Sequence, residues 1–139
     1  MPFNPYKVQV DALRNPVDGE RHDGFWEVIE YNHDAADIAV RFSASSARPV
    51  LVKEVVHVVE EAFGASATLD VGDGSDEDYW IDQTDITENT AGNTTSSLLA
   101  TTAVPKSGRW YTANGQVKVT VAGTHTAGKG RLLVHLIRL

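Results

Sequence analysis

Apolar and polar residues alternate with a period of two along most of this chain, as in β-strands that bury one face. The clearest run, residues 37–43, places Ile38, Val40 and Phe42 on the same face. Similar short runs, separated by Gly, Asn and Pro, occupy residues 6–13, 25–31, 67–74, 79–82, 116–121 and 131–139. The pattern therefore predicts antiparallel β-structure with at most one short helix.

Two of these runs are richer in apolar residues than a half-exposed strand requires. Residues 25–31 mix apolar side chains on even and odd positions, which is typical of a strand covered from two sides. Residues 131–139 are apolar enough to form a central strand.

Residues 50–63 fit two interpretations. Val52, Val55, Val56, Val59 and Phe63 match a helical stripe as well as they match a strand. Because β-branched valines lose rotamer freedom in a helix, we interpret the segment as a strand, with a helix as the alternative.

The later connections carry turn chemistry. Asn114-Gly115 lies between the run 110–112 and the run 116–121, a strong signal for a tight hairpin. Residues 89–97 are rich in Thr, Asn, Ser and Gly without an apolar period, which predicts an exposed loop.

Seven to nine short strands at intervals of about 8 to 12 residues are typical of an antiparallel β-sandwich. We predict an all-β fold, a jelly-roll-like sandwich, with residues 1–139 as a single domain. Residues 1–37 would form either an N-terminal arm or edge strands of that sandwich. No repeat of 20 to 50 residues is visible, which disfavours propellers and solenoids.

Composition excludes several classes of protein. The 139 residues contain no Cys, so disulfide frameworks, thiol catalysis and Cys-ligated zinc are ruled out. No apolar run approaches the about 20 residues that a bilayer requires, and no secretory signal is visible. We therefore expect no membrane partner.

Charge is distributed unevenly along the chain. The formal net charge is −7, yet residues 106–139 carry basic residues and no acidic ones. The bases are spread along apparent strands and do not form a stripe, so nucleic acid is not an expected partner.

Eight acidic residues and no Lys or Arg lie between Asp70 and Glu88. Such a segment repels itself unless it is solvated, faces a basic surface or binds a cation. Its spacing does not match an EF-hand, because Gly72 stands third and Ile81 twelfth when Asp70 is counted first. We expect no metal and treat Asp76, Glu77 and Asp78 as interface candidates.

The sequence carries no convincing catalytic constellation. The five histidines never stand in a metal-ligand spacing, no Gly-x-Ser-x-Gly elbow is present, and no rule of spacing selects a pair of glycosidase carboxylates. We expect a protein that is not an enzyme and needs no cofactor.

Four elements, in order, resemble a known class of protein. Residues 67–82 match a "T-L-x-(I/V)-G-D" strand that runs into an acidic "D-x-D-x-(W/F)-(I/L)" stretch. Residues 109–120 match "Y-x-A-x-G-x-(I/V)-x-(V/A)-T", and residues 126–131 match the turn "T-A-G-x-(A/G)-x" before the last strand. This order is similar to that of cement or decoration proteins of tailed bacteriophages, over residues 50–139.

The resemblance implies a jelly-roll virion protein, made in the host cytoplasm and bound to the outer surface of the capsid. It would staple neighbouring subunits of the major capsid protein and act as a homo-oligomer, such as a homo-dimer, without catalytic residues. The interface candidates combine the N-terminal aromatics, the acidic stretch and the later aromatics: Phe3, Tyr6, Phe25, Trp26, Asp76, Glu77, Asp78, Trp80, Trp110 and Tyr111.

An alternative stays open from the residues alone. Trp26, Trp80, Trp110 and Tyr111 would also suit a carbohydrate- or receptor-binding β-sandwich module of a phage tail or surface protein, because aromatic rings stack on sugars.

Overall fold

A computed structural model describes residues 24–100 and 108–138, which fold into two antiparallel sheets packed face to face. The strands, in chain order, are β1 (Phe25–Asn32), β2 (Ala39–Phe42), β3 (Val50–Glu61), β4 (Ala67–Gly72), β5 (Thr94–Ser96), β6 (Arg109–Tyr111), β7 (Gly115–Gly123) and β8 (Lys129–Arg138). Helical structure in these ranges is confined to a three-residue 3-10 helix, Gln83–Asp85, and none of it is a membrane-spanning helix.

Sheet A has the order β1-β8-β3-β5, with β6 pairing to β3 on the same side as β5. Sheet B has the order β2-β7-β4. The chain passes from one sheet to the other at almost every connection, as in a jelly roll. The predicted all-β antiparallel sandwich is therefore confirmed, and so is the central position of β8. The predicted strand at residues 6–13 lies outside the described residues.

Strand β3 resolves the ambiguity over residues 50–63 in favour of a strand. Its ladder with β8 shifts register between Val52 and Glu54 and again between Val59 and Glu61. Because a β-bulge inserts one extra residue, Val52 and Val55 both point into the core although they are three residues apart. The bulge therefore creates the helix-like spacing in the sequence.

The core lies between the sheets and is built from the inward positions of both. Ile38, Val40 and Phe42 are buried there, as their alternation predicts. A buried polar pair also lies in the core: the Tyr31 hydroxyl and His57 Nε2 are 2.5 Å apart, and His57 has no exposed surface. Burial raises the pKa of Tyr31 and lowers the pKa of His57 from 6.5 to about 4.

The predicted hairpin at Asn114-Gly115 is wrong. Strand β6 belongs to sheet A and β7 to sheet B, so the chain changes sheets at this point instead of turning back on itself. The Asn114 side-chain oxygen accepts a hydrogen bond of 3.0 Å from the backbone N–H of Ala44. A Cβ at Gly115 would lie 2.8 Å from the rings of Phe42 and Tyr111, so glycine is required by close packing.

Two further predictions need correction. Residues 89–97 are not simply an exposed loop, because Thr94–Ser96 pairs with β3 and Ser97 is buried. The Ser97 hydroxyl accepts a 3.0 Å hydrogen bond from the backbone N–H of Val55. Residues 79–82 do not form a strand of their own: Ile81 makes only an isolated bridge to Val71.

Candidate interaction surfaces

The side of sheet A that faces away from sheet B carries a group of apolar side chains among charged and polar ones. We call it the outer face. Its side chains alternate along each strand with those that point into the core. Eight of them are apolar: Trp26, Val28, Leu51, Val56, Val58, Trp110, Leu133 and Ile137.

The most exposed of these residues lie at the two margins of the sheet. Trp26 and Val28, on β1, expose 45% and 47% of their surface, and Trp110, on β6, exposes 49%. The Trp26 ring stacks on His135 with ring centroids 4.8 Å apart and an angle of 11° between the planes. Exposed apolar residues that are grouped in this way are typical of interaction sites.

Several charged groups on the outer face have local partners. Arg131 pairs with Glu30 and with Glu60, the latter at 2.8 Å. Glu54 accepts a 2.8 Å hydrogen bond from the Ser96 hydroxyl. These contacts neutralise part of the charge beside the apolar side chains, while Lys53 and Lys129 on the same strands are exposed.

The segment from Asp70 to Glu88, which we call the acidic loop, is folded by its own carboxylates. Asp73 accepts hydrogen bonds from the backbone N–H groups of Ser75 and Asp76, at 2.9 and 2.8 Å. Asp82 caps the 3-10 helix by accepting from Thr84, and Asp70 accepts from the backbone N–H of Gln83 at 2.8 Å. These three acids are structural, since each satisfies backbone donors.

Arg109 ties the acidic loop to sheet A. Its guanidinium donates to Asp73 at 2.7 Å and lies over the rings of Tyr79 and Tyr111, at 4.9 and 4.6 Å from their centroids. Although burial opposes it, the Asp73 carboxylate raises the pKa of Arg109. Burial by itself would raise the pKa of Asp73, but the backbone N–H donors and Arg109 outweigh it, so the pKa of Asp73 is lowered. The loop therefore has a fixed position on the sandwich.

The remaining carboxylates point outward and crowd one another. Asp76 and Glu77 are exposed, and Asp78 is half-buried. Hydrogen bonding to Asp76, and then to Asp82, raises the pKa of Asp78 to about 6, because the shared proton relieves the repulsion between carboxylates. The loop presents concentrated negative charge that falls as the pH drops below about 6.

The structure separates the predicted interface candidates into three groups. Phe25, Trp26 and Trp110 are exposed on sheet A, and Asp76, Glu77 and Asp78 lie on the acidic loop. Trp80 and Tyr111 are buried, with 1% and 8% of their surface exposed, so they pack the core and offer no surface to a partner. Phe3 and Tyr6 lie outside the described residues.

Several residues of the outer face escaped the sequence analysis. The sequence predicts residues 25–31 as a strand covered from two sides and residues 131–139 as a central strand, but in the described residues nothing covers the second face of Val28, Leu133 and Ile137. The apolar character of both faces of residues 25–31 and 131–139 is the signal that marks them.

Other polar clusters do not make a catalytic or metal site in the described residues. His33 Nδ1 and His125 Nδ1 are 2.8 Å apart and join the loop after β1 to the loop before β8. Across residues 24–100 and 108–138, His, Asp and Glu do not come together in a group of three that would hold a metal ion.

Comparisons with known proteins gave matches only among solved structures. No family model and no curated protein matches the chain. A chain in the acidic stable capsid structure of Helicobacter pylori bacteriophage KHP30 is 16% identical, with a TM-score of 0.46, over 83% of this chain and 94% of that chain. A chain in the capsid asymmetric unit of cyanophage Pam1 is 19% identical, with a TM-score of 0.48, over 99% of each. This chain is thus similar to chains found in two phage capsids.

Proposed function

We propose that the chain is a structural virion protein, a cement or decoration protein of a tailed bacteriophage. In this role it binds the outside of the head and staples neighbouring subunits of the major capsid protein. It acts by adhesion and performs no catalysis. The order of the four sequence elements described above supports this class of protein.

The observation that carries the proposal is the presence of two chemically different contact surfaces on one sandwich. One is the apolar outer face, and the other is the acidic loop held in place by Arg109 and Asp73. Adhesion to a lattice requires surfaces of fixed shape, and many weak contacts add up when one binder touches several copies of its target. Neither requirement needs a cleft or a tuned nucleophile.

The acidic loop is suited to a basic surface on the capsid. Asp76, Glu77 and Asp78 project from it, while the neighbouring base Arg109 is already paired with Asp73. Attraction between such surfaces speeds encounter and fixes orientation, and it weakens as salt is added. The proposal therefore includes a salt-dependent contact between this loop and the major capsid protein.

The carbohydrate-binding alternative has less support from the geometry. Two of its four aromatic residues, Trp80 and Tyr111, are buried, and one face of Trp26 is occupied by His135. Sugar-binding platforms need an open aromatic face.

Co-sedimentation tests the proposal. Heads of the phage that encodes the chain, prepared without this protein, are mixed with it and pelleted. We expect saturable binding at a fixed number of copies per head, reduced by salt. No binding to heads, together with binding to a sugar on a glycan array, would replace the proposal with the carbohydrate-binding function.

A further inference from the structure

The outer face of sheet A is a surface that the sequence builds for contact. In β1 and β8 this face carries Trp26, Val28, Leu133 and Ile137 among charged and polar residues, and Val28 lies opposite Leu133 in the ladder. A sheet face that stays in water usually carries polar residues. Eight apolar side chains here therefore indicate that another protein surface covers the face.

The size of the face fits a stable protein–protein contact. The sheet is four strands wide, at about 4.8 Å per strand, and about eight residues long, at about 3.3 Å per residue, so its flat area is about 500 Å². The accessible surface is larger, because side chains make the face uneven. A standard interface takes about 800 Å² of accessible surface from each partner. The two half-exposed tryptophans add to the accessible surface that a partner can bury, since a fully buried aromatic side chain contributes about 150 to 250 Å².

Charge favours a second copy of this chain as the occupant. The chain has a net charge of −7, so most surfaces of two copies repel each other. On the outer face, by contrast, Arg131 is neutralised by Glu30 and Glu60, and Glu54 is hydrogen-bonded to Ser96. Two copies therefore repel each other less here than at their acidic surfaces.

The arrangement of the tryptophans allows the face to complement itself. Trp26 lies on β1 and Trp110 on β6, at opposite margins of the sheet and three inter-strand steps, or about 14 Å, apart. A two-fold axis parallel to the strands would exchange these margins and bring Trp26 of each copy toward the β6 margin of the other. Leu51, Val56, Leu133 and Ile137 form the floor between them.

We propose that two copies of the chain form a two-fold dimer by packing the outer faces of their A sheets together, with Trp26 and Trp110 as the main anchors. Face-to-face packing of sheets also forms the core between sheets A and B within each copy. The dimer leaves the acidic loops free for another partner. The inference rests on the geometry of the face and holds whether or not the chain binds a capsid.

Sedimentation equilibrium of the full chain without any capsid tests the dimer. The expected mass rises from 15.1 kDa toward twice that value as the concentration increases from about 0.1 to about 100 μM. Val28→Lys places an unpaired charge twice in a two-fold interface and should weaken the dimer by at least about 100-fold. Thr68→Lys, a half-buried outward position on sheet B, is the matched control and should leave the dimer unchanged.

Quenching of tryptophan emission by acrylamide identifies what covers the face. Trp80 is buried in the monomer as well as in the dimer. Its emission is measured separately in the Trp26→Phe/Trp110→Phe variant, in which it is the remaining tryptophan. In the dimer, Trp26 and Trp110 should be protected and become accessible on dilution.

Three results would overturn the inference. A monomer at every concentration with Trp26 and Trp110 protected would assign the face to residues 1–23 of the same chain. A monomer with both rings quenched would leave the face for the major capsid protein or another partner. A dimer that survives Val28→Lys, or that Thr68→Lys also disrupts, would place the contact elsewhere.

Discussion

Acid should destabilise the fold through His57. This residue has no exposed surface, its Nε2 contacts the Tyr31 hydroxyl at 2.5 Å, and its Nδ1 has no hydrogen-bond partner. Burial in these apolar surroundings lowers its pKa from 6.5 to about 4. Protonation of the imidazole is therefore much easier in the unfolded chain than in the folded one.

The sign and size of the effect follow from that difference. Because the folded pKa is the lower one, the stabilisation is fully present above pH 6.5 and is lost as the pH falls toward 4. At 1.36 kcal/mol per pH unit the full loss is about 3 kcal/mol, of which nearly half is already lost at pH 5.5.

A double variant isolates this contribution. Tyr31→Phe/His57→Leu replaces both polar partners with apolar groups, so its free energy of unfolding at pH 8 should lie within about 1 kcal/mol of the unmodified chain. Between pH 8 and pH 5.5 it should lose about 1 to 2 kcal/mol less than the unmodified chain. Tyr31→Phe alone keeps His57 and serves as the matched control, with the pH dependence retained.

Urea unfolding followed by circular dichroism at the two pH values measures these free energies. Comparison between variants removes the contribution of other groups, such as Asp78, whose raised pKa acts in the opposite direction. Equal pH dependence in the double variant and the unmodified chain would refute the reasoning. So would an NMR titration of His57 with a pKa near 6.5 in the folded protein.

Two further predictions concern the acidic loop. Arg109→Ala removes two ring contacts and the ion pair with Asp73, and should lower the free energy of unfolding by about 1 to 2 kcal/mol in urea, whereas a loss below about 0.3 kcal/mol would show that the loop is held otherwise. The combined change Asp76→Asn/Glu77→Gln/Asp78→Asn should weaken head binding at least tenfold and shift the melting temperature by no more than a few degrees. Its charge-matched control, Glu27→Gln/Glu60→Gln/Glu61→Gln, removes three acids of strands β1 and β3 and should bind normally. Equal weakening in both variants would contradict a specific contact.

Much of the fold follows from local alternation. The inward positions Ile38, Val40 and Phe42 are visible in the sequence because one face of β2 meets the core and the other meets water. The strand at residues 50–61 is also predictable, since its valines favour extended backbone. Its bulges are not, because an extra residue is detected only against the partner strand β8.

The features of the fold that depend on pairing between distant segments could not be predicted from the sequence. Asn114-Gly115 has the chemistry of a tight turn, but that chemistry does not say which sheet the next strand joins. Thr94–Ser96 is held in place by backbone hydrogen bonds to β3, which any side chains permit. Its sequence therefore shows no apolar alternation that would predict a strand. Trp80 stands among acids in the sequence, yet it is buried by the fold around it.

One candidate surface is visible in the local sequence, and the other depends on the pairing of distant strands. Asp76, Glu77 and Asp78 are evident as charge, whereas Trp26 and Trp110 become one surface only when β8 and β3 join β1 to β6. Composition therefore identifies the acidic loop, and sheet order identifies the outer face.

An electron cryomicroscopy map of heads reconstituted with the protein tests the central claim most directly. We expect density for the β-sandwich on the outside of the shell, bridging neighbouring major capsid subunits, with the acidic loop toward a basic surface of the shell. Reconstituted heads that carry no such density, or carry it on the inside of the shell, would contradict the account.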